Sequence, residues 1–115
     1  MAALTVQTVD RAGFDLLAGD TACAGGGDYF ANTGAEFIYI NNASVGSITL
    51  TIAFASTATV DGQSATNRTV VLSASEEDLI GPFPTHLYND ANGRVQLTYS
   101  GVTSLTIAIL KLTTS

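Results

Sequence analysis

The chain has 115 residues, of which 46% are hydrophobic and 12% are charged. This length suits one domain with a single core, so we expect one domain over residues 1–115. Four basic residues face ten acidic ones, for a formal charge of −6, which excludes the basic surface that nucleic acid or an anionic membrane requires.

No run approaches the roughly 18 apolar residues of a membrane-spanning helix. The first residues also lack the basic region and long apolar stretch of a signal peptide, so we expect none. The N-terminal segment 1–9 is a candidate arm, in which Leu4 and Val6 share one face of a short strand. We hypothesise that it is a contact arm as well as an edge strand; a strand wholly within its own domain is the equal alternative.

Alternation with a period of two predicts most of the strands. In "SITLTIAF", 47–54, Ile48, Leu50 and Ile52 alternate with polar residues, which predicts a strand with one buried face. The segment 36–42, "EFIYINN", is apolar on both faces and should lie centrally or under a partner. In 104–112 the alternation slips after Ile109, which indicates a bulge or a strand covered on both faces.

Together these patterns predict about eight short strands, mostly separated by glycine, asparagine, aspartate and serine. They are 4–9, 14–17, 36–42, 47–54, 68–73, 78–83, 94–101 and 104–112. No amphipathic helix is indicated; 73–80 forms one helical turn at most. The segment 18–34 is rich in glycine and alanine and is interpreted as a mobile loop. The whole pattern favours an antiparallel two-sheet sandwich or a small barrel.

Motifs with catalytic or metal-binding chemistry are weak. The glycines of 19–27 fit no phosphate-binding loop, and Cys23 reads as a reduced thiol. The carboxylates of 75–79 lie in a row, whereas a glycosidase needs two that face each other across a cleft, so we interpret them as a solvated turn. "NDANGR", 89–94, lacks the later glutamate of a calcium loop, so it reads as a hairpin with a type I′ turn at Asn92 and Gly93. We predict no catalytic residue, no metal ligand and no cofactor.

The stretch 80–94 holds both prolines and the only histidine, His86. Proline lacks a backbone donor, so we interpret this stretch as a corner at the edge of a sheet. Its apolar side chains, Phe83, Leu87 and Tyr88, either pack on the core, which is the favoured reading, or form an exposed contact patch.

Three stretches, "NTGAEFIYINNAS", "IGPFPTHLYND" and "VQLTYSGVTSLTIAILKL", together with the opening "LTVQTVDRAG", resemble small all-β head decoration, or cement, proteins of tailed bacteriophages. The resemblance spans most of 34–112 and rests on packing and turn motifs. It implies a single-domain sandwich of jelly-roll type that binds the outside of a capsid shell without catalysis, and it leaves a homotrimer open.

From the residues and this resemblance we expect a non-enzymatic structural protein that is made in the host bacterial cytoplasm and binds the major capsid protein on the virion surface. A carbohydrate- or receptor-binding sandwich on a virion or tail is the alternative, with Tyr29, Phe30, Tyr39, Tyr88 and Tyr99 as candidate aromatic platforms. The candidate partner-binding residues are Leu4, Thr5, Val6, Phe83, Leu87 and Tyr88.

Overall fold

The computed structural model describes residues 2–13, 15, 20–54, 59–60, 63–64 and 67–112. Within these ranges the chain forms twelve strands and one short helix. They are β1 Ala2–Ala3, β2 Val6–Val9, β3 Thr21–Ala22, β4 Asp28–Ala31, β5 Glu36–Asn42, β6 Ile48–Ile52, β7 Thr59–Val60, β8 Gln63–Ser64, β9 Arg68–Leu72, β10 Glu76–Ile80, α1 Thr85–Tyr88, β11 Arg94–Tyr99 and β12 Leu105–Leu112.

Two five-stranded sheets pack against each other, which confirms the predicted all-β sandwich. Sheet A has the order β1-β4-β11-β6-β9, and sheet B has the order β10-β5-β12-β2 with β3 also paired to β12. The chain crosses between the sheets at most connections, from β4 to β5 to β6 and from β9 to β10 to β11 to β12, as strands do in a jelly roll. A separate hairpin joins β7 to β8.

The core lies between the inner faces of the two sheets. Ile48, Leu50 and Ile52 of β6 are buried, as their alternation predicts. From sheet B, Ile38 and Ile40 of β5 are completely buried as well. Strand β5 lies between β10 and β12, so its predicted central position is confirmed.

Strand β12 is covered on both faces rather than bulged. Its pairing with β5 runs without a break from Leu105 opposite Asn42 to Lys111 opposite Glu36. Ile107 and Ile109 face the core, while Ala108 and Leu110, on the other face, are each only 4% exposed. Of the two alternatives that the sequence leaves open, coverage on both faces is therefore correct.

The N-terminal segment joins both sheets at one side of the sandwich. Strand β1 pairs with β4 in sheet A, and β2 pairs with β12 in sheet B. Between them, the backbone N–H of Leu4 donates to the carbonyl of Tyr29 at 2.8 Å. Both pairings are parallel, whereas the sequence pattern predicts antiparallel strands. No hairpin joins either strand to its neighbour in the sheet, so an antiparallel direction is not required.

The prediction of a loop over 18–34 is wrong where two strands interrupt it. Strands β3 and β4 lie there, and Phe30 of β4 is 1% exposed. The surrounding glycines and alanines hide the short apolar stretch of β4, which is held by pairing with β11 rather than by a strong pattern of its own. The predicted strand 14–17 lies outside the described residues apart from Asp15.

The acidic segment 75–79 is also different from its prediction. It is not a solvated turn or a helical turn, because Glu76–Ile80 form β10, antiparallel to β5 at the edge of sheet B. Hydrogen bonding to β5 along five residues outweighs the weak strand propensity of the adjacent carboxylates. Among the described residues, no helix is long and apolar enough to cross a membrane.

Candidate functional site

The stretch 80–94, which holds Pro82 and Pro84 and is called the proline corner below, contributes to the core at one end of the sandwich. Phe83 and Tyr88 are 2% and 7% exposed, and their rings lie 5.2 Å apart between centroids. Tyr88 also packs edge-on against Phe54 at 4.6 Å. Gly81 begins this corner with φ +135°, and a Cβ there would lie 2.9 Å from Cβ of Phe37, so only glycine fits. The expectation that these aromatic residues pack on the core agrees with their burial.

His86 lies on the solvent side of this corner. It is exposed on α1, and it has no hydrogen bond or ion pair within the described part of the chain. Cys23, by contrast, is buried. Burial raises the pKa of the Cys23 thiol to about 12, against the opposing effect of a hydrogen bond with Tyr99. A buried neutral thiol is a poor nucleophile.

Asp90 organises the turn that follows α1. Its Oδ1 accepts hydrogen bonds from the backbone N–H groups of Asn92 and Arg94, and its Oδ2 accepts one from Gln96 Nε2. Burial acts to raise the pKa of Asp90, but these bonds and the Arg94 charge hold it below its usual value. The carboxylate is thus engaged in holding the turn.

This turn is not the predicted type I′ hairpin. Of Asn92 and Gly93 only Gly93 has a positive φ, of 74°, whereas type I′ needs a positive φ at both positions. The turn also connects a helix to β11 rather than two strands. The hydrogen bonds of the Asp90 side chain select this conformation, and the Asn-Gly pair alone does not reveal them.

A second cluster of polar groups is buried at the opposite end of the sandwich. Asp28 is 1% exposed, and its Oδ2 accepts hydrogen bonds from Tyr99 Oη at 2.6 Å and from the backbone N–H of Ala24 at 3.1 Å. Burial, followed by this bond to Asp28, raises the pKa of Tyr99. The cluster fixes the start of β4 beside β11.

The candidate aromatic platforms are mostly engaged. Phe30 and Tyr88 are buried, and Tyr99 is tied to Asp28. The guanidinium of Arg94 covers the ring of Tyr29 at 4.3 Å from its centroid. Tyr39, on the outer face of sheet B, donates its hydroxyl to Glu77 Oε2 at 2.8 Å and keeps its ring partly exposed.

The candidate partner-binding residues lie in two separate places. Leu4 and Val6 are half-buried against the core beside β12, and Thr5 is exposed. Phe83, Leu87 and Tyr88 line a cavity of about 410 Å³ at the proline corner, next to the edge strands β9 and β10. The structure does not bring the two sets together, and whether either contacts a partner stays a prediction.

Sequence reasoning missed an apolar groove on the outer face of sheet B. The groove has a volume of about 270 Å³ and is lined by Gly34, Ala35, Phe37, Leu79, Ile80, Gly81, Pro82 and Leu112. Leu79 and Leu112 are 67% and 60% exposed. The segments 36–42 and 104–112 are apolar on both faces, so the sequence predicts that their outer face is covered. It does not show that part of this face stays exposed.

A polar notch lies beside the groove on the same sheet. Strands β2 and β3 pair with successive parts of β12 and leave a gap between them next to Ala108. The gap is a cavity of about 300 Å³ that Thr5, Gln7, Asp20 and Thr21 line together with Leu4. Two of the candidate partner-binding residues, Leu4 and Thr5, therefore border this notch.

The described residues contain no group of three or more histidine, cysteine, aspartate or glutamate side chains placed to hold a metal ion. The fold places the chain in the class of all-β two-sheet sandwiches. No family model, curated protein or solved structure matches the chain.

Proposed function

We propose that this chain is a non-enzymatic structural protein of a phage particle: a decoration protein that binds the major capsid protein on the outer surface of the head shell and stabilises the shell. The resemblance of 34–112 to head decoration proteins supports this proposal. So does the exposed apolar groove around Leu79 and Leu112, which is the observation that carries it. Exposed apolar patches bordered by polar residues are typical of protein contact surfaces.

Repetition on a shell makes such a small surface sufficient. A closed shell offers many identical sites, so each copy needs only a modest contact area to add to the stability of the whole. The chain suits this role, because only 12% of its residues are charged.

The test is binding to purified heads that were assembled without this chain. We expect the pure protein to sediment with these heads, to saturate at a fixed ratio to the major capsid protein, and to raise the temperature at which the heads break open. A protein that stays in the supernatant at saturating concentration would contradict the proposal.

A carbohydrate- or receptor-binding module is the second candidate, because one cluster on the outer face of sheet A favours it. Tyr29 and Arg94 lie side by side on β4 and β11, and they offer a ring edge and a cation in one place. Sugar-binding surfaces combine such aromatic and polar groups. A glycan array decides between the two: specific binding that is lost in Tyr29→Ala but kept in Tyr39→Ala would favour this module.

A further inference from the structure

The outer face of sheet B combines an apolar and an acidic region. The groove around Phe37, Leu79 and Leu112 supplies the apolar part. Of the charged residues in the strands of this sheet, Glu77 is the one whose register places it on the outer face. Asp20 adds a second carboxylate at the polar notch.

These two carboxylates border the same tyrosine. Glu77 accepts the hydrogen bond from Tyr39, and Asp20 is near enough to act on the Tyr39 hydroxyl by its charge. Together the hydrogen bond, burial and the two charges raise the pKa of Tyr39 to about 12. Asp20 itself has no hydrogen bond or ion pair among the residues that the structure describes. A cationic group from outside would find an unpaired acceptor there.

Of the four basic residues, Arg11 is exposed and the other three are engaged. Arg94 pairs with Asp90 at 3.9 Å, and Lys111 pairs with Glu36 at 4.0 Å. Arg68 donates to Tyr88 Oη at 3.0 Å. With a formal charge of −6, a second copy would bring like charge to this face, which disfavours self-association through it.

We propose that the outer face of sheet B is the surface that contacts the shell, and that it takes a basic partner surface with two features: an apolar side chain for the groove and a lysine or arginine side chain for the notch. The notch lies two strand spacings from Phe37 and about two residues along the strand. The apolar and the basic side chain of the partner should therefore lie roughly 12 Å apart. This inference rests on the proposed function, because the partner is the protein of the shell.

The test compares variants in binding to purified heads assembled without this chain. Leu79→Ser and Leu112→Ser change exposed side chains of the groove, and Asp20→Lys reverses the charge at the notch. Val71→Ser is the matched control, because Val71 is also 61% exposed but lies on the outer face of sheet A. We expect the three test variants to weaken binding by about tenfold or more and the control to leave it unchanged. Wild-type binding should weaken as salt is added.

Several outcomes separate this inference from the proposed function. If the wild type does not bind heads, the proposed function fails and the inference fails with it. If the wild type binds and all three test variants bind equally well, the inference alone is overturned. A photoreactive residue at position 79 should crosslink to the shell protein, and one at position 71 should not. If Leu79→Ser instead turns an oligomer into a monomer without weakening head binding, a second copy occupies the groove and the inference is wrong.

Discussion

At the scale of single residues, two tyrosine hydroxyls donate to carboxylates in very different surroundings. Tyr99 donates to Asp28, which is 1% exposed and has its other oxygen, Oδ1, buried without a partner in the described structure. Tyr39 donates to Glu77 at the surface. The same tyrosine-to-carboxylate hydrogen bond can therefore be compared in a buried and in an exposed setting.

Removal of the Tyr99 hydroxyl should destabilise the fold. Tyr99→Phe leaves the buried Asp28 with one backbone donor, so we expect a loss of about 1–3 kcal/mol in the free energy of unfolding. Tyr39→Phe is the control and should change it by less than about 0.5 kcal/mol, as surface substitutions usually do. Urea unfolding of both variants measures the difference. Equal losses in the two variants would show that the buried cluster has no special importance.

His86 should be dispensable. It is exposed on a one-turn helix and has no hydrogen bond or ion pair among the described residues, so His86→Gln should leave head binding within about 1 kcal/mol of the wild type. Binding measured by sedimentation with purified heads is the check. Complete loss of function in a folded His86→Gln protein would argue for chemistry at this residue.

Two carboxylates should make opposite contributions to the pH dependence of stability. Burial acts to raise the pKa of Glu36, but hydrogen bonds from Thr33 and Ala35 outweigh it, so the folded pKa is lowered. This contribution is present above the unfolded pKa and is lost as the pH falls through the folded one. Burial and the neighbouring Glu76 raise the pKa of Asp78, so protonation of Asp78 on acidification favours the fold.

Chemical unfolding at pH 7 and at pH 3 separates these effects. Glu36→Gln should lose less stability on acidification than the wild type, because it lacks the carboxylate that must be protonated. Asp78→Asn should lose more than the wild type, because the compensating protonation is gone. Identical pH profiles for the wild type and both variants would contradict this assignment.

At the scale of strands, β6 separates a buried face from an exposed one. Leu50 is completely buried, while Thr51 lies on the outer face of sheet A opposite Thr69 and Thr98. Leu50→Asp buries an unpaired carboxylate at a cost of several kcal/mol, out of a total stability of about 5–15 kcal/mol. Thr51→Asp, one residue away, should stay within about 1 kcal/mol of the wild type. A soluble Leu50→Asp protein with a cooperative wild-type melt would mean that the face assignment is wrong.

The N-terminal segment should behave as an integral strand. It pairs with β4 in sheet A and with β12 in sheet B, and Leu4 and Val6 pack on the core. Deletion of residues 1–6 should therefore lower the melting temperature markedly. A free contact arm would instead cost head binding with little change in melting. If the truncated protein melts as before and binds heads as before, both interpretations fail.

The sequence predicts those strands that carry an apolar pattern of their own. The central strands are predicted because each has a clear hydrophobic pattern. Residues alternate strongly in 47–54, and both faces are apolar in 36–42 and 104–112. Strand β4 escapes prediction, and β10 is predicted only over 78–80, since glycine-rich and acidic sequences form strands only through pairing with neighbours. The groove escapes as well: it arises from residues far apart in the chain, Phe37, Leu79 and Leu112, which only the strand register brings together.

At the scale of the whole molecule, the sandwich protects the β10 edge of sheet B and leaves the outer face of that sheet available. Strand β10 carries three carboxylates on the edge of sheet B, which disfavours pairing with another chain. On the other side, the N-terminal segment supplies the outer strands β1 and β2. A partner is therefore expected to bind side chains on the outer face of sheet B rather than to pair with β10.

The most direct measurement of the central claim is a cryo-electron microscopy reconstruction of the phage particle that the proposed function assigns to this chain. We expect density for a sandwich of this size in many symmetric copies on the outside of the head, with the outer face of sheet B against the shell. A reconstruction whose head surface holds no such density, or one that places the chain on the tail, would contradict the account.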